Sequence, residues 1–173
     1  TMRRSTLSCA LVLVVVLGGL VLPSRAQSPI DVNSGPSGSR PNSMTAIDGT
    51  LYFEASTPST GAALWTSDGT ADGTRLVKDL APTLDLSIVG PFFDVGGAVL
   101  FRGQDDPTGA ELWTTDGTTA GTQRIKDIDP GPASGLGGSS AYVVYKGELV
   151  FAADGGSGVE LWTSDGTTAG TQK

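Results

Sequence analysis

Three aspartates, Asp68, Asp116 and Asp165, each open an Asp-Gly-Thr turn, and a turn of this kind offers two kinds of chemistry. The carboxylate can accept backbone N–H groups two residues on while Gly69, Gly117 or Gly166 takes the left-handed conformation, which is a purely structural use. Carboxylates with turn carbonyls are also the hard-oxygen ligands that suit calcium. The turns lack the Asp-x-Asp-x-Asp spacing of a dedicated calcium loop, so a cation here would need further ligands. They also lack the residue between Asp and Gly that marks a sialidase-type Asp box.

A second acidic set lies in the loops Asp105-Asp-Pro-Thr-Gly109 and Asp154-Gly-Gly-Ser-Gly158. Asp105, Asp106 and Asp154 are candidates for holding a cation or forming an acid–base pair. The corresponding loop of the first copy, Ser56-Thr-Pro-Ser-Thr-Gly61, has no acid, as expected of an unconstrained surface loop. Adjacent side chains on an extended segment point apart. The facing carboxyls that a glycosidase needs, about 5–9.5 Å apart, are therefore not supplied locally. Trp65, Trp113 and Trp162 could stack on sugar rings if exposed, but their fixed place among apolar neighbours favours packing.

Much other chemistry is excluded by composition. Arg3 and Arg4 precede an apolar run from Cys9 to Leu22, and Ser24-Arg25-Ala26 completes the pattern of a secretory signal cleaved after Ala26. The run is shorter than the roughly 20 residues of a membrane-spanning helix. Cys9 lies ahead of the apolar core, which argues against a lipid anchor; Arg3-Arg4 alone would also fit twin-arginine export. Without Arg3, Arg4 and Arg25 the 11 basic residues fall to 8 against 18 acidic ones, and the net charge moves from −7 to −10. Such a surface repels nucleic acid and anionic lipid and admits cations. The rest of the chain has neither cysteine nor histidine, so disulfides, zinc sites on those ligands and nucleophiles paired with histidine are excluded there.

The elements that carry these residues repeat. Gly61 to Thr70, Gly109 to Thr118 and Gly158 to Thr167 are near-copies, and the three tryptophans are spaced 48 and 49 residues apart. The second copy reads as four strands: Phe92 to Val95, Ala98 to Arg102, Glu111 to Thr115 and Gln123 to Ile128. Tight hairpins are expected at Asp48-Gly49, Gly96-Gly97 and Lys146-Gly147, and a longer polar loop over Gln104 to Gly109. The second strands, centred on Phe53, Phe101 and Phe151, are apolar on both faces and read as buried. The fourth, with Arg124, Lys126 and Asp127 around Ile125 and Ile128, reads as a half-solvated edge. Four antiparallel strands repeated at this period predict an all-β, β-propeller-type fold of about 2.5 to 3 blades, with a β-solenoid as the alternative.

Glu111-Leu-Trp-Thr-Thr-Asp-Gly-Thr-Thr-Ala-Gly-Thr122, followed by Lys126-Asp-Ile-Asp-Pro-Gly131, resembles the bacterial repeat family named for its Glu-Leu-Trp-x-x-Asp-Gly-Thr motif, also described as hyalin-like. The match runs over residues 30 to 173, with Ala63 in place of the motif's glutamate and Asp72 in place of its alanine in the first copy. The resemblance implies a secreted or surface-associated, propeller-shaped bacterial protein with no common activity. It also aligns Asp31 with Asp127 and Val32 with Ile128, so Pro29 to Pro36 is expected to supply an orphan fourth strand.

The expected organisation is a signal at 1–26, an N-terminal segment at 27–43, repeats at 44–90 and 91–140, and an incomplete repeat at 141–173. Propellers close with about four to eight blades, so further blades beyond Lys173 are expected, or else a six-bladed ring of two chains. The expected function is a non-enzymatic interaction or adhesion scaffold, extracellular, at the cell surface or periplasmic. It would bind a protein or carbohydrate ligand and no nucleic acid, keep no transmembrane segment after cleavage, and self-associate through open blade edges. No cofactor is required in this reading, although calcium would be admitted. The alternative is a fragment of a polysaccharide-active glycosidase or lyase on the same fold.

Overall fold

The computed structural model describes residues 30–82, 89–137 and 141–173; the expected signal at 1–26, with Cys9, lies outside them. The described residues form eleven strands and no helix. The strands are β1 Asn42–Ile47, β2 Thr50–Thr57, β3 Gly61–Ser67, β4 Arg75–Lys78, β5 Val89–Val95, β6 Ala98–Asp105, β7 Gly109–Thr115, β8 Gln123–Lys126, β9 Tyr142–Tyr145, β10 Glu148–Asp154 and β11 Val159–Ser164. They build three antiparallel sheets in the orders β1-β2-β3-β4, β5-β6-β7-β8 and β11-β10-β9, and none of the three closes on itself.

Each sheet begins with the same two-residue hairpin. Asp48-Gly49, Gly96-Gly97 and Lys146-Gly147 all have positive φ at both positions, the turn whose twist matches that of the strands it joins. Register is then held by one aromatic pair per sheet: Phe53 opposite Trp65, Phe101 opposite Trp113 and Phe151 opposite Trp162. Directly opposed residues on one face contribute the local energy of an antiparallel pair.

Two apolar cores lie between successive sheets. Tyr52, Leu64 and Val77 of the first sheet meet Phe92, Val99, Phe101 and Trp113 of the second. Leu100, Leu112 and Ile125 of the second meet Leu149, Phe151 and Trp162 of the third, with Ile128 and Leu136 of the linker between them. Aromatic contacts cross both boundaries: Tyr52 to Phe92 at 5.9 Å and Phe93 to Tyr142 at 5.3 Å between ring centroids.

Several boundaries differ from the sequence expectation. β6 runs on to Asp105 and β7 starts at Gly109, so the loop expected over Gln104 to Gly109 shrinks to three residues. Asp105 causes this by accepting the Thr108 amide and hydroxyl across the turn. The fourth strand stops at Lys126 rather than Ile128, whose amide turns instead to Glu111 Oε2. Burial on both faces holds for β6 but not for β10, which alternates buried and half-exposed residues. Residues 30–41 form no strand; Asp31 and Asn33 close local turns, and Ser39 accepts the Ser56 amide.

Candidate functional site

Each Asp-Gly-Thr turn is a closed hydrogen-bonded knot eight residues long. In the second repeat, Asp116 Oδ1 accepts the Thr118 amide at 2.8 Å and its hydroxyl at 2.7 Å. Thr118 Oγ1 in turn accepts the Gly121 amide at 3.0 Å. Thr122 Oγ1 donates to the Thr118 carbonyl at 2.6 Å, while a contact of 2.7 Å joins it to Thr115 Oγ1 in the buried interior. The same bonds recur around Asp68 and Asp165. A Cβ at Gly73, Gly121 or Gly170 would overlap the aspartate carboxyl group, so glycine is required there by close approach. The threonine hydroxyl and amide hold each of the three carboxyls below the usual range.

The loop acids are also occupied. Asp105 pairs with Arg124 at 3.7 Å besides closing its own turn, and Asp154 Oδ1 accepts the Gly156 and Gly158 amides, both at 2.9 Å. Asp106 takes part in an interaction of its own. Among the described residues no three carboxylates gather in a group that could hold a metal ion.

Glu111 is the most perturbed acid. It is fully buried, with Oε2 accepting the Ile128 amide at 2.8 Å and Oε1 the Gly135 amide at 2.7 Å. Burial pushes its carboxyl up to about 7, against the opposing pull of those two amides. A Cβ at Gly135 would lie 2.6 Å from the Ile128 side chain, so the linker passes close over the carboxyl group. Glu111 thus ties the linker to β7. In the first repeat, where Ala63 replaces the glutamate, Glu54 on the neighbouring strand does comparable work by accepting the Val89 amide at 2.9 Å. In the third, Glu160 is exposed and pairs with Lys173 at 3.3 Å.

The tryptophans divide into two classes. Trp113 and Trp162 are buried, at 6% and 8% exposure, whereas Trp65 is half-buried. The difference comes from lysines that the sequence reading assigns to a solvated edge. Lys78 at the end of β4 lies over the Trp113 ring, 5.6 Å from its centre, and donates to the Thr122 carbonyl at 2.8 Å. Lys126 at the end of β8 repeats this on Trp162, at 5.6 Å, and on the Thr171 carbonyl, at 2.6 Å. Alongside, Thr119 and Thr168 hydroxyls donate to the Val77 and Ile125 carbonyls, both at 2.7 Å. The signal was present in the sequence as a lysine recurring 48 residues apart, at the same offset after the first and second Asp-Gly-Thr turns.

Trp65 instead borders an open cleft of about 420 Å³ that includes Val32, Asn33, Pro58, Thr60 and Leu76. Comparison with protein-family models, with curated proteins and with solved structures finds no match.

Proposed function

We propose that the chain is a secreted or surface-associated, non-enzymatic interaction scaffold assembled from propeller-type repeats. The observation that carries this reading is the fate of the recurrent residues. Asp68, Asp116 and Asp165 are consumed by their own turns, and Lys78 and Lys126 by docking one repeat on the next. What the repeats conserve among themselves is therefore the means of stacking, which suits a molecule whose work is to present surface.

The described surface also has apolar positions that the repeat pattern would bury. Val159 and Leu161 on β11 are 70% and 68% exposed, whereas their counterparts Ala110 and Leu112 on β7 are fully buried. Association through such a face is the behaviour expected of an open repeat array. Light scattering coupled to size exclusion, with and without calcium, tests the reading. A discrete oligomer that Leu161→Gln dissociates supports it, and a monomer whose size that substitution leaves unchanged sinks the open-edge part of it.

A further inference from the structure

We propose that Asp48, at the tip of the first hairpin, is a site of spontaneous covalent modification, where the backbone isomerises through a cyclic imide to isoaspartate. The proposal goes beyond the scaffold reading and does not depend on it. Asp-Gly occurs six times in the chain, at Asp48, Asp68, Asp72, Asp116, Asp154 and Asp165. Glycine has no Cβ to obstruct attack by its own amide nitrogen, so sequence alone makes all six candidates. The structure separates them by what each carboxyl group and each following N–H is bonded to.

The reaction joins the Gly49 nitrogen to Asp48 Cγ. The nitrogen gives up its proton and the carboxyl group its hydroxyl, so that one water leaves and a five-membered imide ring closes. Water then opens the ring. Attack at the side-chain carbonyl restores aspartate, whereas attack at the main-chain carbonyl leaves the chain running through Cβ and frees the former main-chain carbonyl as a carboxylate. Water is the only co-reactant. The step needs an amide nitrogen without an acceptor and a carboxyl group free to be protonated and to turn towards it.

Five of the six sites fail these requirements. The Gly69, Gly117 and Gly166 amides donate to the hydroxyls of Ser67, Thr115 and Ser164 at 3.0, 3.0 and 3.1 Å. Their aspartates are held by the amide and hydroxyl of the following threonine, which also favours the ionised carboxylate, the form with no hydroxyl to lose. The nitrogen that would attack Asp72 is spent as well, since the Gly73 amide donates to Thr70 Oγ1 at 2.9 Å. Asp154 Oδ1 is held by the Gly156 and Gly158 amides, and Gly155 packs so closely that a Cβ there would lie 3.2 Å from the Trp162 ring.

Asp48 meets both requirements. Asp48 and Gly49 are exposed, and among the described residues neither the Asp48 carboxylate nor the Gly49 amide has a hydrogen-bond partner. Nothing lies within 4 Å of the place a Gly49 Cβ would occupy. Asp48 is also held at a φ of 48°, a conformation unfavourable to L-residues, and opening of the tip relieves it. The product adds one main-chain carbon to a two-residue turn that sets Ile47 opposite Thr50. The other two hairpins carry Gly96 and Lys146 at this position and have no carboxyl group to react.

The test is to age the full chain in heavy-oxygen water at neutral pH, digest it in ordinary water, and locate both the isotope and the β-linked residue by fragmentation mass spectrometry. One heavy oxygen is expected at residue 48, in a mixture of aspartate and isoaspartate, ahead of the other five sites. In concentrated urea the six sites should react at similar rates, because the hydrogen bonds that separate them are gone. Gly49→Ala should slow the reaction several-fold, and Asp48→Glu should abolish it, since glutamate cannot close a five-membered ring on the next nitrogen. Incorporation at Asp68, Asp116 or Asp165 as fast as at Asp48 in native buffer would overturn the proposal. So would an Asp48 that reacts only in urea, which would show that the hairpin holds it as firmly as the knots hold the turn aspartates.

Discussion

At the residue scale the decisive fact is how little freedom the acids have. A Gly121→Ala substitution would push a methyl group into the Asp116 carboxyl, and overpacking of this kind costs about 1–3 kcal/mol. Because the clash is with one side chain, Asp116→Ala should relieve part of it. Denaturant unfolding of both single variants and the double is expected to show non-additivity, since the two residues share one contact. Glu111 sets a pH dependence of opposite sense to that of the turn acids. Its carboxyl is raised from 4.5 to about 7, so its contribution to stability is fully present below 4.5 and is lost as pH rises through about 7. The turn aspartates are lowered, so theirs is present above 3.8 and is lost as pH falls through their depressed values. Glu111→Gln should flatten the fall in melting temperature between pH 4.5 and 7. It should also destabilise the chain by about 1–3 kcal/mol at low pH, because the amide's N–H₂ group would face a backbone N–H donor at Ile128 or Gly135. An unchanged slope between those pH values would show that another group carries the dependence.

At the scale of elements, the repeat copies gave away the strand content and the three hairpin turns, because each is written in local turn chemistry and alternation. Positions fixed by contact between repeats were harder to read. Lys126 looks like a solvated edge residue when only its own strand is considered; its partner, Trp162, is 36 residues away in the next sheet. Gly73, Gly121 and Gly170 likewise look like ordinary turn glycines until the aspartate folded against them is seen. The exchange of Glu111 for Glu54 as the residue that receives the linker was illegible, since the two acids sit on different strands. The split among the tryptophans predicts unequal costs. Trp113→Ala should destabilise by about 3–5 kcal/mol, the range for emptying a large buried aromatic. Trp65→Ala, beside an open cleft and with no lysine over its ring among the described residues, should cost clearly less by the same thermal or denaturant measurement. Equal losses would mean that the Lys78 contact does not distinguish the two sites.

At the scale of the whole molecule, three sheets are joined by two cores and by the same pair of bonds made twice, from a lysine to a tryptophan face and a threonine carbonyl in the next repeat. The central claim is that these recurrent residues dock repeats head to tail. The measurement that tests it most directly is a double-mutant cycle on Lys78→Met and Trp113→Leu, followed by denaturant unfolding. Docking predicts a coupling of about 0.5–2 kcal/mol between two residues in different sheets, as expected of a partly desolvated cation–π pair. Strictly additive losses would contradict it and would leave the two apolar cores, without the lysine contacts, as what joins the repeats.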